Sequence, residues 1–296
     1  MTASRALLGE LAVARLVGTT SHGQVRAALR RELEARGFVV LEHRFAAAAR
    51  FPLRGRHTAE GINLIAVRPR TRVATWLAAH YDSKGQPLSM ALRLLWIVAA
   101  ALALAVALVA TVLGGPALMW WIPGVALTAG FLLLNVATDR SPGAVDNATG
   151  ILTVLAAIDA APADAGVGVL LLDAEELGLV GARALVRERA NLLRGTAVIN
   201  FDGIDDRGRA IAYVHRPGRV VERVAAALGS REWRRLPIVV DGLALADAAA
   251  ECVTVMKGDW GTTQVIHSLR DTPDRLTLDG VQEVARAVAD ALTPGH

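Results

Sequence analysis

The sequence predicts an α/β fold, a central sheet flanked by helices, interrupted by a two-helix transmembrane hairpin. Three observations carry this expectation. Short apolar, β-branched runs alternate with helical patterns before and after a long apolar stretch. Residues 94 to 136, within that stretch, hold no charged side chain. The stretch is broken in its middle by Gly114-Gly115-Pro116, so it reads as two helices joined by a turn. With 296 residues, the chain fits one large domain carrying an insertion, and a hydrophobic fraction of 53% exceeds what an ordinary core needs.

Taken in order, Gln24 to Arg36 carries Val25, Leu29 and Leu33 at helical spacing with Gly37 as its stop, which predicts an amphipathic surface helix. Ile62 to Val67 and Val73 to Ala79, broken by Arg68-Pro69-Arg70, read as neighbouring strands of the sheet. Ala91 to Leu113 and Ala117 to Val136 are each close to the ~20 apolar residues that cross a hydrocarbon layer as a helix. Trp120 and Trp121 lie beside the turn, where an aromatic belt at the far interface would place them. Lys84, Arg93 and Arg140 flank the pair, which by the positive-inside rule puts the flanks on the cytoplasmic side. Beyond the hairpin, Gly150 to Ala160 reads as a helix and Gly166 to Leu172 as a fully buried strand. Val180 to Leu193 reads as another helix, and Ala197 to Phe201 as another strand. Two spans return the chain to the side it left. Residues 1–90 and 138–296 are therefore expected to form one folded body, with residues 91–137 as the transmembrane hairpin.

The formal charge of +4 is spread along the chain, so nucleic acid is not an expected partner; Arg30-Arg31 and Arg234-Arg235 read as solvated faces. The single cysteine, Cys252, excludes an intrachain disulfide and a cysteine-based zinc site, and reads as a small buried apolar residue. The first residues, from Met1 through Glu10 and Arg15, lack the uninterrupted apolar core of a signal peptide.

Polar residues suited to chemistry follow the apolar strands, where α/β folds place their sites. His80-Tyr81-Asp82 ends one strand, Asp173, Glu175 and Glu176 follow the next, and Asp202 follows Ile199-Asn200-Phe201. A two-metal site with imidazole and carboxylate ligands needs about five such groups, one able to bridge; His80, Asp146, Glu176, Asp202 and His267 supply that set. Asp82, two residues from His80 in extended chain, can take the second imidazole N–H and fix the ring. Adjacent Glu175 and Glu176 diverge, so one can bind metal while the other acts as a general base. His22, His43, His57, His215 and His296 stand outside this spacing and read as ordinary surface or core histidines, and Trp76 as core.

Five ordered motifs resemble metallopeptidase family 28, the zinc-dependent aminopeptidases that also include glutaminyl cyclases. They are Ala79-His80-Tyr81-Asp82, Ser141 through Gly150, Glu175-Glu176-Leu177-Gly178-Leu179-Val180-Gly181, Asn200-Phe201-Asp202, and His267 with Asp271-Thr272-Pro273-Asp274. The resemblance implies a zinc exopeptidase fold with a central mixed sheet. It implies Asp146 bridging two zinc ions, His80 and Asp202 completing one, Glu176 and His267 completing the other, and Glu175 as general base. Cobalt or manganese also suit an all-N/O site. The implied activity is hydrolysis of peptide bonds, removing N-terminal residues; N-terminal glutamine cyclisation and a non-catalytic membrane scaffold are the alternatives. Ala182, Val265-Ile266 and Ala246-Asp247-Ala248 depart from the family pattern, the last as the nearest match to its Ser-Asp-His motif. His80 and Asp146 must meet although the hairpin separates them, and few residues lie between Asp82 and the first span. The site is thus expected near the bilayer, with a membrane-adjacent peptide or protein N-terminus as substrate. The sequence sets no residue specificity and no oligomeric state.

Overall fold

The computed structural model describes residues 2–48, 58–115, 117–162, 165–236 and 238–293. Helices α1 (Thr2–Leu11) and α2 (Thr20–Ala35) lead into strands β1 (Val39–Ala48), β2 (Thr58–Val67) and β3 (Thr75–His80). Two long helices follow, α3 (Met90–Val112) and α4 (Ala117–Leu134). The chain then continues through α5 (Gly150–Ala160), β4 (Val167–Leu172), α6 (Val180–Arg189), β5 (Ala197–Ile204), β6 (Arg209–Arg216) and α7 (Arg219–Ala227). It ends with β7 (Glu232–Trp233), α8 (Asp241–Leu245), β8 (Glu251–Gly258), α9 (Trp260–Thr263) and α10 (Asp279–Leu292).

The strands form one eight-stranded mixed sheet in the order β1-β2-β4-β3-β5-β8-β6-β7, with β4, β3, β5 and β8 parallel to their neighbours at its centre. Period-2 alternation divides their side chains between two apolar layers. Leu77, Val169, Ile199 and Val253 pack on one face with Leu29, Ile151, Val154 and Val284, while Trp76, Leu170, Val198 and Cys252 pack on the other with Leu185 and Leu245. Helices cover both faces, so β3 and β4 at the centre are buried along their whole length.

Several expectations need correcting. The strands on either side of Arg68-Pro69-Arg70 are not neighbours: β4 inserts between β2 and β3, antiparallel to the first and parallel to the second. The helix expected from Gln24 begins at Thr20, because the Thr19 hydroxyl accepts the His22 N–H and caps the turn. The helix expected to reach Leu193 leaves α geometry after Arg189 and ends in a short 3-10 turn. Trp76 is buried, its indole donating to the Leu192 carbonyl at 3.0 Å. His57 and His296 lie outside the described residues.

The apolar insertion does form two helices packed on each other. Gly124 and Gly130 make room for Leu104 and Trp96, and the Trp96 indole donates to the Leu127 carbonyl at 2.8 Å. Leu95, Leu102, Val109, Leu118, Ile122 and Leu133 are exposed, whereas Ala107 is buried. Among the described residues only α3 is long and apolar enough to cross a membrane, where two spans were expected; α4, apolar over Leu118–Leu134, is shorter and contains Pro123. At the base, Gly85 and Thr138 exchange N–H···O bonds of 2.7 and 2.9 Å, so the insertion leaves and rejoins the body at one point.

Arg15, fully buried, pins three distant segments together. Its guanidinium donates to the carbonyls of Tyr81 at 2.7 Å, Pro142 at 2.5 Å and Gly143 at 3.0 Å. Gly143 is held at φ 61, a conformation glycine adopts without steric cost. Replacing Arg15 with Met strands those carbonyls and removes a buried cation. It should cost about 3–5 kcal/mol of stability, and Arg15→Lys should recover only part of it, because an ammonium lacks the planar fork. Chemical denaturation checks this; a loss below about 1 kcal/mol would remove Arg15 from that role.

Candidate metal centre

Strand ends and the segments that follow them bring the candidate ligands to one cluster. His80 is the last residue of β3, Asp202 lies in β5, and Glu175-Glu176 follow β4 through Ala174. Asp146 lies in the irregular turn between Gly143 and α5, preceding a cis peptide to Asn147. His267 lies beyond α9 at φ 62, and Ala174 sits at φ 57. Non-glycine residues in that left-handed region concentrate where a side chain must be aimed rather than where the chain is relaxed.

All five sequence-predicted ligands come together, in two groups that share Asp146. His80, Asp146 and Asp202 form one and Asp146, Glu176 and His267 the other, with the ligand atoms of each group within 4.8 Å of one another. The His80 Nε2 lies 3.2 Å from Asp146 Oδ1 and 3.9 Å from Asp202 Oδ1. The His267 Nε2 lies 3.1 Å from Asp146 Oδ2 and 3.2 Å from Glu176 Oε2. Each Asp146 oxygen thus faces a different imidazole.

Two further carboxylates grip the backbone that carries these ligands. Asp82 accepts the N–H groups of Glu175 at 3.1 Å and Glu176 at 3.2 Å. Asp271 accepts those of Val145 at 2.8 Å and Asp146 at 3.1 Å. The expected contact of Asp82 with the His80 ring is present but longer: Nδ1 lies 3.5 Å from its carboxylate and 3.2 Å from its main-chain carbonyl. Asp173 accepts from the Tyr81 hydroxyl at 2.9 Å and lies 2.8 Å from His22 Nε2, which gives His22 a buried structural place.

Protons sit where cations could. Burial works against a carboxylate at Asp146, but His267 and His80 outweigh it and hold its pKa well below the usual range. At Glu176 burial is likewise overcome, by His267 and Lys84, and the pKa falls to about 2. Burial disfavours an imidazolium at His267, yet Glu176 and Asp146 raise its pKa to about 9. Burial raises Asp202 to about 7 and pushes Glu175 well above the carboxylate range, with Glu176, Asp202 and Asp241 adding to the shift at Glu175. A cluster of buried carboxylates facing two imidazoles fits a divalent cation, whose binding would displace protons from the imidazoles. The buried Nε2 of His80 and Oε1 of Glu176, neither with a hydrogen-bond partner among the described residues, support the same fit.

Three neighbours escaped the sequence reading. Lys84 Nζ lies 2.9 Å from Glu176 Oε2 and donates to the Glu176 carbonyl at 3.0 Å. Asp241 is buried with neither carboxylate oxygen hydrogen-bonded among the described residues, and burial together with Asp82, Asp202 and Asp173 holds its pKa well above normal. It, rather than Asp247 of Ala246-Asp247-Ala248, is the acid of this segment that feels the cluster. Arg15 is the third. Lys84 follows the His80 motif closely enough to have been flagged, whereas nothing local marks Arg15 or Asp241.

A mixed sheet carrying a shared-carboxylate cluster at the ends of its parallel strands defines the zinc-exopeptidase class of α/β fold. The family model of Peptidase family M28 matches residues 63–292, and the chain belongs to that family. Among solved structures it resembles the glutaminyl cyclase of Fimbriiglobus ruber at a TM-score of 0.67 and 17% identity, covering 98% of this chain and 93% of that one. It resembles a Zn-dependent exopeptidase from Parabacteroides distasonis at 0.67 and 15%, over 99% and 97% of the two chains. A leucine aminopeptidase precursor from Bacteroides thetaiotaomicron is similar at 0.64 and 15%, over 100% and 97%. At these identities the structural likeness speaks to fold. No curated protein matches the chain by sequence.

Because Asp82 holds the backbone of both glutamates, Asp82→Ala should weaken zinc binding by about 10–100-fold although Asp82 belongs to neither ligand group. Competition with a chromophoric chelator measures this, and an unchanged affinity would show that the grip does not matter.

Proposed function

We propose that the chain is a membrane-anchored, two-zinc aminopeptidase, with ions held by His80, Asp146 and Asp202 and by Asp146, Glu176 and His267. The observation that carries this reading is the sharing of Asp146, one oxygen toward each group. Bound zinc supplies Lewis acidity toward a peptide carbonyl and toward water. Glu175, buried beside the cluster, takes the proton of the attacking water and returns one to the departing amine. Its raised pKa suits a base that must also act as an acid. Asp82 and Asp271 keep the ligand backbone in place while charge moves.

A second reading is N-terminal glutamine cyclisation, since the fold is shared equally, at a TM-score of 0.67, with a glutaminyl cyclase and with an exopeptidase. Cyclisation needs the same proton transfers without an attacking water. A Gln-led peptide separates the two: release of free glutamine supports hydrolysis, and a pyroglutamyl peptide of undiminished length supports cyclisation. In either case Glu175→Gln should lower kcat by at least about 10²–10⁴-fold with metal content unchanged. Full activity in that variant, or a folded wild type that binds no metal, overturns the proposal.

For the anchor, α3 and α4 are taken to insert together, with the catalytic body on the cytoplasmic side. In support, their exposed apolar side chains face away from each other's interface, and α3 begins only a few residues beyond Lys84 and Gln86 at the site. A site this close to the start of α3 favours N-termini presented at the membrane surface. Reconstituted in liposomes, the protein should therefore cleave a lipid-anchored peptide with higher kcat/KM than the same peptide in solution. Equal values would reject that substrate class.

A further inference from the structure

Resting on the two-metal reading above, we infer that the two metal positions are unequal, and that Lys84 makes the one formed with Glu176 and His267 the weaker. The Lys84 ammonium lies 2.9 Å from Glu176 Oε2, the same oxygen that faces His267 Nε2 at 3.2 Å. An ion at that position and the ammonium would both sit against the Glu176 carboxylate, of which Oε2 already holds Lys84 and Oε1 has no hydrogen-bond partner among the described residues. Lys84 cannot swing aside freely, because Nζ also donates to the Glu176 carbonyl at 3.0 Å and its side chain is only 11% exposed. In so buried a place two cations repel with little screening from water.

No matching cation stands at the other position. Among the described residues, the ion-pair partners of His80 are Asp82, Asp146 and Asp202, and Asp202 pairs with no lysine or arginine. The positions also differ in their supports. His80 and Asp202 are built into β3 and β5. Glu176 and His267 are both tied to the stem of the hairpin, Glu176 through Lys84 and His267 through the Gln86 N–H, which donates to its carbonyl at 2.8 Å. Loading is accordingly sequential. The first ion enters between His80, Asp146 and Asp202, and the second enters against the fixed charge of Lys84.

The test is a zinc titration of the purified full-length protein, read by competition with chelators of graded affinity and by metal analysis after dialysis at set free-zinc concentrations. Wild type should bind two equivalents in steps separated by at least tenfold. Lys84→Met should tighten the second step by tenfold or more and change the first by less than threefold. Lys84→Arg, which keeps the charge, should preserve the separation. An intact first step in Lys84→Met shows that the site still folds, and Lys84→Gln repeats the neutral substitution with a polar side chain. Two equal steps in wild type, or an unchanged second step in both neutral variants, would overturn the inference while leaving the two-metal reading in place. Equal weakening of both steps would make Lys84 a structural residue and overturn it as well. Failure of wild type to bind zinc at all would instead sink the two-metal reading itself.

Discussion

The constraint on which the structure turns is negative charge gathered where water is scarce. Asp82, Asp146, Asp173, Glu175, Glu176, Asp241 and Asp271 are all buried, and Asp202 adjoins them. Left unpaired, such charges would cost several kcal/mol each. The chain offsets them with few cations: Arg15, Lys84 and the two imidazoles of His80 and His267. Main-chain N–H groups supply the rest, at Asp82, Asp271 and Asp173. Asp241 has no hydrogen-bond partner for either carboxylate oxygen among the described residues, and burial holds its pKa well above the usual range. The sheet, the turns and the N-terminal segment can be understood as the frame that holds these charges at the spacing a divalent ion requires.

That frame works largely through backbone rather than side chain. Asp82 and Asp271 do the same thing on opposite sides of the cluster, each using one carboxylate to fix two successive amides of a ligand segment. Arg15 does the complementary job with carbonyls, on Tyr81 next to one ligand and on Gly143 near another. The main chain that carries the candidate ligands is fixed in this way by groups that belong to neither ligand cluster.

Much of this was legible in the sequence for a simple reason: an apolar run ending in His, Asp or Glu is a strand end with something to present. His80, Asp202 and the Glu175-Glu176 pair were read in that way, and the structure brings His80, Asp202 and Glu176 together with Asp146 and His267. What could not be read is whatever depends on order across the sheet. β4 slips between β2 and β3 although it comes far later in the chain, and nothing in Ile62 to Ala79 announces it. Asp241 approaches the cluster only through the packing of α8 on the second apolar layer, so its segment looked unremarkable beside Asp247. Arg15 stands in a stretch without periodicity, and its distant carbonyl partners, at Tyr81, Pro142 and Gly143, are fixed only by the completed fold. The apolar insertion was legible as two helices nearly to their ends, Ala91 to Leu113 and Ala117 to Val136 against Met90–Val112 and Ala117–Leu134.

The paired N–H···O bonds between Gly85 and Thr138 have a consequence for how the chain reaches its native state. They close the insertion like a drawstring. Once the neck is shut, His80 and Asp146 are joined by a short effective loop, whatever the number of helical turns beyond it. The entropy of bringing the ligands together then scales with the neck and not with the contour of the hairpin. The body can tolerate longer or shorter helices there, because its own closure depends on two residues and not on the arm they gather.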